Sequence, residues 1–214
     1  MHIILARHAE TTWNVEGRYQ GQGHDIPLSE AGRSQALAMG CRLQAQNLTR
    51  VVSSPLLRAI QTTEIALGKL AEGLKADNGL VEMNYGAWEG RLHAEIQGTD
   101  SDVLKAWRET PHQVRLPGGE SFEDVLDRAW PAFCRACEGL GEEDTAFIVS
   151  HDGVNRAILC RVLGLPISRI WSFRQAPTSL NLLEGDSLET LSIVRLNDAS
   201  HLAQLFGEPA HRRL

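Results

Sequence analysis

Ile3-Ile4-Leu5-Ala6 (residues 3–6) and Ala146-Phe147-Ile148-Val149 (residues 146–149) are short, unbroken apolar runs. A strand with one wet face alternates apolar and polar residues. A continuous run of this length reads instead as a strand buried on both faces, as in a parallel sheet covered by helices on each side. Val51-Val52 is a third, shorter candidate. Helical spacing follows each run. Leu37, Cys41, Ala45 and Leu48 fall at i, i+4, i+8 and i+11. Ser54-Pro55 offers a capping hydroxyl and a proline for a first helical position, and Leu57, Ile60, Thr63 and Leu67 then share a face. Phe122, Val125, Leu126, Ala129, Phe133, Ala136, Cys137 and Leu140 form the strongest amphipathic stripe, with Pro131 expected to kink it. A helix over Val154–Leu163 closes at Gly164-Leu165-Pro166, and residues 179–184 and 189–196 read as two late strands around Gly185-Asp186. This alternation predicts a three-layer α/β/α sandwich with a mostly parallel central sheet. Residues 86–119 lack a clear period and are too long for a bare loop, so a small, partly helical cap is expected there.

The 214 residues suit a single domain over 1–202, with the cap as an insertion at 86–119 and a polar tail at 203–214. Lys and Arg number 21 against 27 Asp and Glu, a formal charge of −6, and no basic cluster interrupts the chain. That excludes binding driven by phosphate neutralisation along a nucleic acid. No apolar run approaches the roughly 18 residues of a membrane span. The start, Met1-His2-Ile3-Ile4, has no basic segment leading into a long apolar one, so no secretory signal and a cytoplasmic location are expected. Cys41, Cys134, Cys137 and Cys160 are then expected to be reduced thiols. Cys134-x-x-Cys137 sits inside a helical pattern without a second pair at zinc spacing, which favours packing over redox or metal chemistry. Neither a metal nor a cofactor is expected, and the oligomeric state is left as monomer or homodimer.

Ligands of open α/β sheets bind beyond the carboxyl ends of the strands. The first strand delivers Arg7-His8-Ala9-Glu10-Thr11 to that rim, the strand at 146–149 delivers Ser150-His151-Asp152-Gly153, and the one near 51 delivers Ser53-Ser54-Pro55 and then Arg58. Two histidines and two arginines would therefore converge. Guanidinium forks match phosphate oxygens bidentately, and imidazole serves as nucleophile, donor or base near neutral pH.

These residues carry a family resemblance. Arg7-His8-Ala9-Glu10-Thr11-Thr12-Trp13-Asn14 resembles the opening motif of the histidine phosphatase superfamily, the phosphoglycerate mutase-like proteins. Arg18-Tyr19-Gln20-Gly21, the segment Ser53 to Thr62, the segment Glu82 to Gly90, and Ser150-His151-Asp152-Gly153 resemble it too, in the family's order. The resemblance implies that His8 is the nucleophile and forms a phosphohistidine. It implies that Arg7, Arg58 and His151 make the phosphate pocket, and that Glu82 protonates the leaving oxygen and later helps activate water. Asn14, Gln20 and Gly21 would reach or position the phosphate, and the substrate would be a small phosphomonoester. The family most often has glycine where Ala9 and Asp152 stand. Alanine is tolerable if φ stays negative, while Asp152 would either repel an anionic substrate or orient His151.

The mutase branch carries an Arg-Arg pair in a longer cap. Here Arg91, Lys105, Arg108 and Arg115 are scattered, which favours hydrolysis by a metal-independent phosphatase resembling phosphoserine and broad-range phosphatases. In that branch His201 is expected to return to the pocket mouth, and Trp107, His112 and Arg115 are candidate cap contacts. Two other readings stay open: phosphoglycerate mutase-type transfer, and a non-catalytic phosphate-binding protein. The second would ordinarily lack the nucleophile or the acid, and both are present here.

Overall fold

The computed structural model describes residues 1–202. In chain order the elements are β1 (His2–Arg7), α1 (Thr12–Glu16), α2 (Glu30–Leu43), β2 (Arg50–Ser53), α3 (Leu57–Leu67), β3 (Lys75–Ala76), α4 (His93–Thr99), α5 (Ser101–Glu109), α6 (Phe122–Cys137), β4 (Thr145–Ser150), α7 (Asp152–Val162), β5 (Leu180–Glu184) and β6 (Ser192–Asp198). One six-stranded sheet runs β3-β2-β4-β1-β5-β6. The pairs β3–β2, β2–β4 and β4–β1 are parallel, while β1–β5 and β5–β6 are antiparallel. The continuous apolar runs are explained by burial on two faces. Ile3, Leu5, Val52, Ala146 and Ile148 pack with α6 and α7, whereas Ile4, Ala6, Val51, Phe147 and Val149 pack with α2 and α3. Between residues 86 and 119 lie α4, α5 and two short 3₁₀ turns, and Trp88 and Trp107 enter the α6-side core.

Five local expectations are corrected. On α2 the predicted stripe faces outward: Leu37 is 58% exposed and Cys41 is exposed, while Ala45 and Leu48 lie beyond the helix. Its buried face is Gly32, Ala36, Met39, Gly40 and Leu43, because α2 approaches α3 so closely that a Cβ on Gly40 would lie 2.3 Å from the Ala66 carbonyl oxygen. Ser54 does not cap α3, which starts at Leu57 with Leu56 in the cap position and no side-chain cap. The buried face of that helix is turned to Arg58, Ala59, Thr62, Thr63 and Leu67, leaving Leu57 and Ile60 half-buried. The last strand is shorter at its start than expected, since Leu188–Thr190 form a 3₁₀ turn. The predicted α6 stripe buries Phe122, Val125, Ala129, Phe133, Ala136 and Cys137, and the helix runs on through Pro131; Leu140 falls past its end.

Candidate active site

Strand order decides which residues meet. β1 and β4 are neighbours with Arg7 opposite Ser150, so His8 and His151 leave adjacent strand ends. Their rings lie 5.1 Å apart, and the His8 amide donates to the Ser150 carbonyl at 2.9 Å. β2 lies on the other side of β4, which brings the Ser54 hydroxyl to 2.8 Å from His151 Nε2. The helix after β2 then delivers Arg58 from its first turn.

His8 Nδ1 lies 2.6 Å from the Ala9 carbonyl oxygen. A carbonyl only accepts, so the proton sits on Nδ1 and Nε2 keeps its lone pair. Burial, then the Arg58 and Arg7 charges, hold the His8 pKa well below the usual imidazole value, so the ring is neutral. His151 is shifted the same way, first by burial and then by Arg58. Ala9 has no positive φ, and its methyl packs with Leu28 and Ala36, so the backbone here does not require glycine.

Both arginines are anchored at one end and unsatisfied at the other. Arg7 Nη1 donates to the Gln175 carbonyl at 2.5 Å, while its buried Nε has no partner. Arg58, fully buried, donates from Nη2 to the Gly21 carbonyl at 2.9 Å, and its Nε and Nη1 have no partner. Buried charged donors without acceptors are costly, and a site built to bind an anion is a sound reason to keep them. A Cβ on Gly21 would lie 2.9 Å from the Met83 carbonyl oxygen and 1.9 Å from Glu89 Oε1, whose carboxylate is held by the Gln22, Gly23 and Tyr85 amides, so a side chain here would displace both. Gln20 accepts from the Thr11 hydroxyl at 2.7 Å and leaves its own buried Nε2 unpartnered, while Asn14 accepts from the Thr11 amide at 3.0 Å.

Glu82 is buried and lines one cavity with Arg7, His8, Asn14, Gln20 and Asp152. Its Oε1 accepts the Met83 amide at 2.8 Å, and its Oε2 lies 3.4 Å from the Gly153 amide. Burial is the largest effect on its pKa and raises it, and Asp152 adds to this; the Met83 amide, then Arg58 and Arg7, oppose it. Arg128 of α6 fixes the segment, donating to the carbonyls of Gly79 at 3.0 Å, Val81 at 2.6 Å and Glu82 at 3.0 Å.

The remaining expectations divide. Trp107 does line the cavity, together with Arg18, Tyr19, Tyr85 and Trp171. His112 is exposed and Arg115 is paired with Asp124 at 2.7 Å, so neither lies on it. The Asp152 carboxylate is turned to Arg156, whose Nε–H both its oxygens take at 3.0 Å, while His151 Nε2 is met by Ser54. His201 does not line that cavity. Its Nε2 is 3.0 Å from the Thr178 hydroxyl, and the Thr178 amide donates to the His8 carbonyl at 3.3 Å. The Arg42–Asp198 ion pair ties the end of β6 to α2, and Arg42 also donates to the Ser200 hydroxyl at 2.7 Å, which holds the turn that carries His201. Thr178 sits at φ 56°, a strained position for a β-branched residue. The loop 175–178, which supports both Arg7 and His8, was not evident from the sequence. His201→Ala should therefore lower kcat/KM by about 2- to 10-fold, the worth of one hydrogen bond, and equally for aryl and alkyl phosphates. Unequal losses would place the ring at the substrate.

Among the described residues, no group of three or more His, Cys, Asp or Glu is arranged to hold a metal ion, and no helix is long and apolar enough to cross a membrane. All four cysteines are free thiols. Phosphoserine phosphatase 1 of Hydrogenobacter thermophilus is 35% identical over 213 residues, 99% of each chain. Probable phosphoglycerate mutase GpmB of Salmonella choleraesuis is 30% identical over 206 residues, 94% of this chain and 95% of that one. The solved structure of Bacillus stearothermophilus YhfR superposes with a TM-score of 0.86 at 34% identity, covering 94% of this chain and 98% of that one. With the pattern of that family matched over residues 3–199, this chain belongs to the histidine phosphatase superfamily, branch 1.

Proposed function

We propose that this histidine phosphatase hydrolyses small phosphomonoesters without a metal ion, through a phosphoryl group carried on His8. The observation that carries this reading is a neutral imidazole with Nε2 free, set among the unsatisfied buried donors of Arg7 and Arg58. In the first step Nε2 attacks phosphorus, the ester P–O bond breaks, and the protonated Glu82 gives its proton to the leaving oxygen. The arginines and His151 stabilise the equatorial oxygens, where the transition state spreads negative charge. In the second step Glu82, now a carboxylate, takes a proton from water as the water oxygen attacks the phosphohistidine. Inorganic phosphate leaves and His8 is restored.

Water is favoured over a phosphoglycerate as acceptor by the cap's charge state. Of the four cap cations, Arg91 is paired with Asp100 at 3.1 Å and Arg115 with Asp124, Arg108 lies against His93, and Lys105 is exposed; none of the four lines the cavity that holds His8 and Glu82. The mutase name of one relative keeps transfer as the second reading. Small phosphorylated metabolites such as phosphoserine or a sugar or glycerate phosphate are the expected class. Hydrolysis of p-nitrophenyl phosphate in excess EDTA is the test. Turnover should match that without chelator, since cationic side chains supply the charge a metal would otherwise bring. Strict dependence on added magnesium would overturn metal-independence, and absence of hydrolysis would favour a binding protein.

A further inference from the structure

Asp152 opens α7 directly after His151 and lines the same cavity as His8 and Glu82. Its side chain is 16% exposed and cannot swing away. The Arg156 Nε–H is shared by both its oxygens at 3.0 Å, one helical turn on, and Arg7 Nη1 is 3.9 Å from Oδ1. Arg156 is itself fixed. Its Nη1 donates to the carbonyls of Ile170 and Phe173, and its guanidinium lies 5.2 Å from the Trp171 ring centre and 6.0 Å from that of Phe173. Much of the Arg156 hydrogen bonding is thus spent on carbonyls, and a carboxylate offers about four lone-pair sites. The next residue, Gly153, brings Glu82 against this backbone: a Cβ there would lie 2.9 Å from Glu82 Oε1.

We propose that Asp152 is a positioning residue for the acid step: a negative charge clamped by Arg156 that keeps the proton on Glu82 until the leaving oxygen takes it. This rests on the reading of Glu82 as the acid. The groups around Glu82 are Arg7 and His8 from the end of β1, Arg18 and Tyr19 after α1, Arg58 from α3, His151 and Asp152 after β4, Tyr85 on its own loop and Arg128 from α6; Arg18 is paired with Glu16. Both histidines are neutral, Tyr85 is held neutral chiefly by burial, and Arg128 grips the Glu82 backbone. The Met83 amide, then Arg58 and Arg7, draw the proton off Glu82. Burial opposes them, and Asp152 is the anion in this set that also does so. The phosphate pocket needs both arginines, and a nearby anion offsets part of their pull on the acid's proton. Asp152 supplies that offset through charge.

Asp152→Asn keeps the shape and an acceptor for Arg156. The test follows kcat/KM for a small alkyl phosphate against pH, together with a ¹³C-carboxyl NMR titration of Glu82. In the variant the Glu82 titration and the alkaline limb of the profile should both move down by about half a pH unit or more. Asp152→Glu should hold both near their wild-type positions. A uniform loss of rate at every pH, with the Glu82 titration unmoved, would overturn the proposal, as would equal shifts in the Asn and Glu variants. If the Glu82 titration moved but the limb did not, the charge effect of Asp152 on Glu82 would be real, but the assignment of Glu82 as the acid would fall, and with it the role of Asp152 in the acid step.

Discussion

His8→Ala is expected to lower turnover of aryl and alkyl phosphates alike, by on the order of 10⁴-fold or more, because it removes the atom that forms the new bond to phosphorus. The loss should be confined to chemistry. Arg7 and Arg58 are held by the Gln175 and Gly21 carbonyls, and His151 by Ser54, none of which involves the His8 ring. Inorganic phosphate should accordingly still bind to the variant within a few-fold of the wild-type affinity. Calorimetric titration with phosphate alongside steady-state kinetics separates the two. Near wild-type turnover in His8→Ala would remove the imidazole from the mechanism.

Glu82→Gln comes second in size and differs in kind. Glutamine keeps an acceptor for the Met83 amide but has no proton to give. Substrates with alkoxide leaving groups should slow by about 10²–10⁴-fold, the usual worth of a general acid. Aryl phosphates, whose leaving groups need little protonation, should slow less in the first step, so the ratio between the two classes widens. An equal loss in both classes would indicate that Glu82 acts by shaping the pocket. No change in either would make it a bystander.

The central sheet was legible because strands buried on two faces must be apolar at successive positions, and 3–6 and 146–149 are. The α6 stripe was legible because large side chains line its buried face. The α2 face was missed although Ala36, Met39 and Leu43 stand at i, i+3 and i+7, because Leu37 and Cys41 offered a competing spacing and the closest approach, Gly40 against Ala66, carries no large side chain. On α3 the expected face was displaced because fully buried Arg58 occupies it, a charged residue that a hydrophobic pattern assigns to solvent. Ser54 reads as a helix cap, yet its hydroxyl faces His151. The two-residue β3 leaves no period to detect.

At the site, the motif positions of His8, Arg7, Arg58, Glu82 and His151 do converge, since the order β2-β4-β1 puts three carboxyl ends side by side. What one sequence did not disclose is the support behind them. The Thr178 contact depends on how the chain returns after β6. The Asp152–Arg156 pair had a readable signal, opposite charges four residues apart on a helix, but nothing in the spacing told it from a solvated surface pair.

The central claim is that the phosphoryl group passes through His8, and rapid quenching during turnover tests it most directly. The enzyme should carry a phosphoryl group that is labile in acid and stable in base, at a burst amplitude approaching one per chain if its hydrolysis limits turnover, and peptide mapping should place it on His8. A phosphoryl group on any other residue, or turnover with none detectable under conditions that stabilise the phosphohistidine, would contradict the account.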